Sequence, residues 1–277
     1  MIVSQKGEVT IIQLTGGSAT QSFSREFLPK IRDVIIQNIG CKAIVITGEG
    51  KFFSAGADIT AFQKSIDDGD SVELIRELTN ILHPLLVKMR TSKTIFVAAL
   101  NGASAGGGLG LALACDARIA SPSGKMAASY SGIGLSPDGG TTWLLPRLVG
   151  EQVARRFFLE NQVWSAEEAY ALGAIDEVVD EELLIDKAVE IANHWSDTNF
   201  LDERNDNSGV LVAFDWKEND ICEYYLSEIN TNIDLGKLES EKFDYNAFSI
   251  FLKVNEYTFV VGLDNVNFSP SDEWLDK

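Results

Sequence analysis

Apolar residues in the first half of the chain cluster in short runs separated by polar turns, which is the pattern of buried strands. The runs at residues 2–3 and 9–14 flank Gly7-Glu8 and predict a β-hairpin. Further strands are predicted at residues 41–47, 94–100 and 175–179. Strands that alternate with helical segments are typical of a layered α/β fold.

Other segments place apolar side chains three and four residues apart, as amphipathic helices do. Ser22 or Ser24 is a candidate N-cap for a helix that runs to Ile39. Ser165-Ala-Glu-Glu168 forms a capping box, which predicts a short helix that ends at Gly173. The remaining predicted helices of this part of the chain span residues 71–89, 150–160 and 181–195.

The densest group of small residues follows the strand at 94–100. The chain breaks at Asn101-Gly102 and then passes through Gly106 to Gly108 into an apolar helix at 109–114. Such a turn lets the backbone approach a ligand and aims free N–H groups, aided by the helix dipole, at an oxygen that carries negative charge. A second turn rich in small residues, at 51–59, follows the strand at 41–47. The alternative is that these glycines only allow helix and sheet to pack closely.

Charge divides the chain unevenly. The formal net charge of −18 over 277 residues argues against nucleic acid as a partner, because phosphates are bound mainly through Lys and Arg. Residues 201–277 carry 6 Lys and Arg against 17 Asp and Glu, whereas residues 1–200 carry 17 against 24. We therefore predict a main domain at 1–200 and an acidic βαββ appendage at 201–277, after a linker at 197–209. Its predicted strands lie at 210–216, 248–254 and 258–263, and its helix at 219–229.

Cysteine and histidine are sparse. Cys41, Cys115 and Cys222 form no CxxC pair and have no metal-like spacing with His83 or His194, so no metal site is predicted and free thiols are expected. No signal peptide and no apolar stretch long enough to span a membrane is evident, which favours a cytoplasmic protein without a membrane partner. The glycine spacing also fits neither a dinucleotide fingerprint nor a P-loop.

Gly102-Ala-Ser104-Ala-Gly106 matches the G-x-S-x-G nucleophile elbow and lies between a predicted strand and helix. A triad in the expected order would combine Ser104 with Asp138 or Asp176 and then His194. A serine hydrolase is therefore one alternative, although no upstream His-Gly-Gly loop offers a second oxyanion donor.

Four segments together resemble the crotonase, or enoyl-CoA hydratase/isomerase, superfamily over about residues 1–196. They are FSAGADI at 53–59, NGASAGGG at 101–108 with Asp116 beyond it, GLSPDGG at 134–140 with LPRLVG at 145–150, and SAEEA at 165–169 with LGAIDEVV at 172–179. The resemblance implies a spiral of ββα turns and acyl-CoA thioester substrates. It also implies no cofactor other than coenzyme A as part of the substrate.

Site residues carry over onto the matching positions. The resemblance implies an oxyanion hole formed by the backbone N–H groups of Ala57 and Gly107, and coenzyme A binding by Ala55, Asp58 and Ile59. A helix around residues 62–76 is expected to line the acyl pocket. Two N–H donors at the thioester oxygen stabilise an enolate, and each donor contributes roughly 10²–10³ in rate.

The departures from the pattern point to the reaction. Gly110 and Tyr130 stand where hydratases of this superfamily carry their two glutamates, so hydration is not expected. Asp138 stands where the branch that resembles epoxyphenylacetyl-CoA isomerase places a lone acid, and one carboxylate can move a proton between two carbons. As Pro-Asp-Gly is also ordinary turn sequence, Asp138 could serve only as a turn or helix cap. The resulting hypothesis is an acyl-CoA isomerase that shifts a double bond or rearranges a ring, with Tyr130 and Gly110 as secondary candidate residues.

The C-terminal quarter departs as well. Superfamily members end in helices that cover the site and build homotrimers, whereas residues 201–277 predict mainly strands. A homotrimer is implied by the resemblance but not by this segment. A catalytically impaired protein that binds acyl-CoA or a protein partner is the second alternative.

Overall fold

A computed structural model describes residues 1–16 and 18–197, together with the backbone of two strands at 250–254 and 257–261. Its strands are β1 (Ile2–Lys6), β2 (Val9–Gln13), β3 (Ala43–Thr47), β4 (Phe52–Ser54), β5 (Ile95–Leu100), β6 (Ala103–Ala105), β7 (Ala117–Ala120), β8 (Lys125–Ala127), β9 (Val163–Ser165), β10 (Glu177–Val178), β11 (Ile250–Val254) and β12 (Tyr257–Val261). The helices are α1 (Phe27–Asn38), α2 (Ile59–Asp68), α3 (Ser71–Thr91), α4 (Gly107–Ala114), α5 (Thr141–Val149), α6 (Glu151–Leu159), α7 (Ala166–Ala171) and α8 (Leu184–Ser196).

The strands form a large sheet in the order β1-β2-β3-β5-β7-β10 and a smaller one in the order β4-β6-β8-β9. β1 and β2 make the predicted antiparallel hairpin, and the remaining pairs of the large sheet are parallel. β3, β5 and β7 are each followed by a strand of the small sheet and then by helix. This is the predicted spiral of ββα turns, and it sets the ends of β4 and β6 side by side.

The large sheet and α8 enclose the apolar core. Strand residues such as Val45, Val97 and Ile119 pack with Leu184 and Ala188 of α8, and all five are at most 2% exposed. Asp116 is buried beside this core, where it pairs with Arg90 at 3.0 Å and accepts a hydrogen bond from the Phe96 N–H at 2.9 Å. The aspartate of the NGASAGGG segment therefore has a structural role.

Two predicted boundaries need correction. α1 begins at Phe27 rather than after Ser22 or Ser24, although Ser24 Oγ still accepts a hydrogen bond from the Phe27 N–H at 3.1 Å. The helix expected around 62–76 is two helices, because Gly69 adopts φ +76° and ends α2 before α3 begins. The Ser165 capping box is present as predicted.

The chain divides into two compact units, Met1–Ala213 and Phe214–Lys277. In the second unit β11 and β12 pair in antiparallel fashion, close to the predicted strands at 248–254 and 258–263. The predicted strand at 210–216, the helix at 219–229, Cys222 and all of the linker beyond Asp197 lie outside the described residues, so the βαββ appendage and a division at residue 200 stay predictions. Within the described part of the chain, no helix is long and apolar enough to cross a membrane.

Candidate active site

Two glycine turns from successive turns of the spiral lie in direct backbone contact. Gly56, after β4, has φ +74°, and a Cβ atom there would lie 2.6 Å from the Ala105 carbonyl oxygen and 2.8 Å from the Gly107 nitrogen. A Cβ on Gly108 would lie 2.3 Å from the Ser54 carbonyl oxygen. Only glycine fits such approaches. The turn that contains Ala57 and the N-terminus of α4 at Gly107 are therefore neighbours.

The hydrogen bonds of the first turn leave one N–H unused. The Ala55 N–H donates to the Thr20 carbonyl at 2.9 Å, the Gly56 N–H to Ser54 Oγ at 3.2 Å, and the Asp58 N–H to the Phe23 carbonyl at 3.3 Å. In the described part of the molecule, no hydrogen bond uses the N–H of Ala57 or that of Gly107. Two backbone N–H groups on neighbouring turns are thus without an acceptor in this part of the molecule, as the donors of an oxyanion hole must be before substrate binds.

Asn101 fixes the loop that precedes this turn. Its Oδ1 accepts the Gly48 N–H at 2.8 Å, and its Nδ2 donates to the Gly50 and Phe52 carbonyls at 3.0 and 3.3 Å. The side chain ties the entry of β4 to the corner between β5 and β6. The Asn-Gly pair of the sequence therefore sets the relative position of the two glycine turns.

Asp138 lies in a tight turn before α5. Gly139 and Gly140 have φ +58° and +68°, and the Thr141 N–H donates to the Asp138 carbonyl at 3.1 Å, as in a type I′ turn. Thr141 Oγ1 donates to the same carbonyl at 2.8 Å. The Asp138 carbonyl is therefore occupied by local hydrogen bonds, while the carboxylate side chain is 37% exposed.

Tyr130 supports the Asp138 turn from the interior of the protein. It is 3% exposed, and its hydroxyl donates to the Asp138 carbonyl at 3.3 Å. Burial, reinforced by the nearby Asp138 charge, raises the pKa of Tyr130 well above its usual value. Tyr130 is therefore a neutral hydrogen-bond donor that holds the turn, and the geometry does not favour it as the base that replaces a glutamate.

Gly110 packs directly against the Asp138 turn. A Cβ atom on Gly110 would lie 2.6 Å from the Gly139 carbonyl oxygen and 3.1 Å from Gly139 Cα. Any side chain at position 110 would displace the backbone next to Asp138. Gly110 is thus a packing residue, and one helical turn of α4 links Gly107 to the Asp138 turn.

α3 joins the two parts of the site. Leu82 Cδ2 lies 3.1 Å from the place of a Cβ on Gly107 and 3.8 Å from one on Gly139. A larger side chain at Gly107 would therefore press on Leu82 and on Phe23, which is 3.2 Å away. Next to Leu82, His83 accepts the Gly139 N–H at Nε2 over 3.3 Å, and the same nitrogen is 3.8 Å from Asp138 Oδ2. Sequence analysis missed His83, because no motif marks it.

The predicted coenzyme A segment lies beside Ala57 and along a surface cleft. Asp58 caps α2 by accepting the N–H groups of Thr60 and Ala61 at 2.9 and 3.2 Å. It also lines a cleft of about 270 Å³ together with Ser22 and Lys30. Ile59 is 54% exposed. Asp138 does not line this cleft. Among the residues that the structure describes, no cluster of His, Cys, Asp or Glu could hold a metal ion.

The alternative triad is not assembled. Ser104 lies in β6 of the small sheet, is fully buried, and donates its hydroxyl to the Lys125 carbonyl at 3.0 Å. His194 is exposed on α8, which packs on the large sheet. Asp176 pairs with Arg118 at 3.1 Å, and Asp138 faces His83. Among the residues that the structure describes, Ser104 therefore has no general base.

We expect that a fluorophosphonate probe does not label the chain at Ser104, because a buried hydroxyl bonded to a carbonyl is neither accessible nor activated. Ser104→Ala should leave turnover within about two-fold and lower the free energy of unfolding by about 1 kcal/mol, the net value of one hydrogen bond. Intact-mass measurement after labelling and thermal unfolding check both. Labelling that disappears in Ser104→Ala would restore the hydrolase alternative.

A protein-family model described as enoyl-CoA hydratase/isomerase matches residues 4–202. The chain belongs to the enoyl-CoA hydratase/isomerase family. One relative of this family, 1,2-epoxyphenylacetyl-CoA isomerase from Escherichia coli, is 33% identical over 194 residues, which cover 69% of this chain and 73% of the relative. Probable enoyl-CoA hydratase EchA14 from Mycobacterium tuberculosis is 34% identical over 184 residues, which cover 65% and 70%.

Solved structures of the family agree with the fold. DspI from Pseudomonas aeruginosa superposes with a TM-score of 0.65 at 33% identity over 74% of this chain and 84% of its own. An enoyl-CoA hydratase from Bacillus anthracis superposes with a TM-score of 0.68 at 26% identity over 86% and 94%. The predicted crotonase-like fold is confirmed. Hydratases and isomerases both occur among the relatives, so family membership alone does not choose the reaction.

Proposed function

We propose that the chain is an acyl-CoA isomerase that shifts a double bond, or rearranges a ring, by moving a proton through Asp138. The observation that carries the proposal is the contact between Gly110 and Gly139. Backbone fills the space in which a hydratase of the superfamily would place its first carboxylate, and that same contact brings the Asp138 turn to α4. The proposed carboxylate of this chain therefore lies on the turn, at Asp138, and not on α4.

The chemistry follows from three groups. The thioester oxygen accepts the N–H groups of Ala57 and Gly107, while the Asp138 carboxylate takes a proton from the carbon next to the thioester. The electrons of that C–H bond form the enolate, conjugated with the double bond of a β,γ-unsaturated acyl chain. The protonated Asp138 then returns its proton to the far carbon, and the double bond moves into conjugation. No external oxidant, reductant or water is consumed, so no cofactor beyond coenzyme A in the substrate is proposed.

Hydration requires more than this site offers. Addition of water to a double bond needs one group to activate water and another to protonate carbon. Tyr130 is a buried neutral donor, and Gly110 has no side chain and no room for one. A single half-exposed carboxylate is suited to carrying one proton between two carbons.

Coenzyme A thioesters are the proposed ligands of the cleft beside Asp58. Its lining combines Lys30, which suits a phosphate, and serine hydroxyls that can bind polar groups with the carboxylates of Glu26 and Asp58. The Ala55–Ile59 segment then connects this cleft to the N–H groups of Ala57 and Gly107. A free acid lacks the nucleotide that these residues would bind.

The deciding experiment incubates the full chain with a β,γ-unsaturated hexenoyl-CoA and records the absorbance of the conjugated thioester. Proton NMR in deuterated water follows exchange at the substrate carbon, and crotonyl-CoA tests hydration in parallel. We expect conjugation without hydration, and no binding of free hexenoic acid by calorimetry. Tight thioester binding without turnover or exchange would contradict the isomerase and support the binding-protein alternative. Hydration of crotonyl-CoA at a comparable rate would contradict the choice of reaction.

A further inference from the structure

His83 makes polar contacts only with the Asp138 turn, as far as the described residues show. Nε2 accepts the Gly139 N–H at 3.3 Å and lies 3.8 Å from Asp138 Oδ2. The ring is 14% exposed, whereas Asp138 is 37% exposed. One side of the carboxylate therefore faces a buried imidazole, and the other side is open.

The second ring nitrogen argues against a purely structural role. Nδ1 is buried and has no hydrogen-bond partner in the described structure. An unpartnered buried polar atom costs about 1–3 kcal/mol. An aliphatic residue would avoid this cost at a position that also packs within α3. The imidazole is therefore unfavourable for packing alone, and in the described structure its polar use is at the Asp138 turn, where Nε2 accepts the Gly139 N–H.

The helix places this ring where it can affect catalysis. Leu82, the preceding residue, lies over Gly107 and Gly139, so this turn of α3 touches both the N–H pair and the acid. The Asp138 carboxylate would reach a substrate from this turn. A neighbour that holds the turn backbone fixes the place of the carboxylate, and a misplacement of 1 Å can cost about 10²-fold in rate.

We propose that His83 is the positioning residue for Asp138: its Nε2 accepts the Gly139 N–H and so holds the turn from which the Asp138 carboxylate reaches the substrate carbon. This inference rests on the proposed function, since it assigns His83 a role through Asp138 and no contact with substrate.

His83→Leu tests the proposal. We expect kcat for hexenoyl-CoA isomerisation to fall roughly 10–100-fold, while KM and acyl-CoA affinity stay within a few-fold. The melting temperature should change little, because leucine removes the unpartnered Nδ1 but also removes the acceptor of the Gly139 N–H. His83→Gln should recover part of kcat, because its amide can reach the place of Nε2. His194→Leu is the matched control, as this exposed histidine lies on α8.

Wild-type kcat in His83→Leu would overturn the inference, as would a loss of kcat that His83→Gln does not recover. A readout independent of turnover is the ¹⁵N resonance of histidine-labelled protein. Asp138→Asn should move the Nε2 signal of His83 and leave that of His194 unchanged. A wild-type chain that does not isomerise hexenoyl-CoA would contradict the proposed function, and the Nε2 signal then decides separately whether His83 and Asp138 interact.

Discussion

Asp138→Asn is expected to abolish isomerisation, with a loss of about 10²–10⁴ in kcat, the contribution of a positioned general acid and base. The amide is close in size to the carboxylate but cannot accept the substrate proton. The backbone of the turn should be unaffected, because the bonds from Thr141 and Tyr130 go to the Asp138 carbonyl and not to its side chain. Stopped assays of hexenoyl-CoA conjugation and deuterium incorporation measure the loss.

Binding separates this chemical effect from damage to the site. Acyl-CoA affinity in Asp138→Asn should stay within a few-fold, because the proposed binding groups lie at residues 55–59 and at Gly107. Asp58→Asn is the matched control, since it changes a carboxylate that caps α2. In Asp58→Asn, the acyl-CoA affinity or the free energy of unfolding should fall, whereas deuterium incorporation at the substrate carbon should persist. Near-normal turnover in Asp138→Asn would mean that another group moves the proton.

The apolar pattern predicts this fold well wherever burial is complete. β3 and β5 are buried at every position, and their β-branched runs mark them in the sequence. The turns at Gly56 and Gly107 are also visible in advance, because close backbone approach needs glycine. What remains hidden is the distance between the turns, which depends on the pairing of β4 with β6.

The break between α2 and α3 at the left-handed Gly69 is marked in the sequence, because Asp67-Asp68-Gly69-Asp70 is poor helix sequence and the predicted helix at 71–89 begins just beyond it. The role of His83, in contrast, depends on a tertiary contact that leaves little trace in the sequence. His83 lies next to Leu82 in the buried stripe of α3, and a single histidine in such a stripe is most simply explained as packing. Its proximity to Asp138 follows only from the packing of α3 against the turn before α5.

At Gly110 the structure shows more than the sequence does, because it shows what occupies the space next to the glycine. In the sequence, glycine at the place of a hydratase glutamate shows only that a carboxylate is missing. In the structure, the place is occupied by the Gly139 carbonyl and Cα. Restoring the glutamate should therefore not restore hydration, which is a stronger claim than the sequence supports.

Gly110→Glu should lower the free energy of unfolding by about 1–3 kcal/mol, the usual cost of overpacking, and should abolish isomerisation without producing hydration of crotonyl-CoA. The cause is the Cβ atom, 2.6 Å from the Gly139 carbonyl oxygen, which must push the Asp138 turn away from α4. Gly110→Ala has the same Cβ and no carboxylate, so it should lose turnover too. Without the clash, replacing glycine by alanine in a helix would stabilise the protein by roughly 0.5–1 kcal/mol. A net loss of stability in Gly110→Ala would therefore be due to the contact with Gly139.

Gly132→Ala is the matched control for this steric effect, because a Cβ there would approach only the Asn161 side-chain amide, at 2.8 Å, and that amide can move. It should change stability and turnover little, although it lies on the same segment as Asp138. Denaturant unfolding, hexenoyl-CoA isomerisation and crotonyl-CoA hydration should be measured on all three glycine variants. A Gly110→Glu protein that is as stable as the parent and hydrates crotonyl-CoA would contradict the steric argument, because the turn could then yield to a carboxylate at that position.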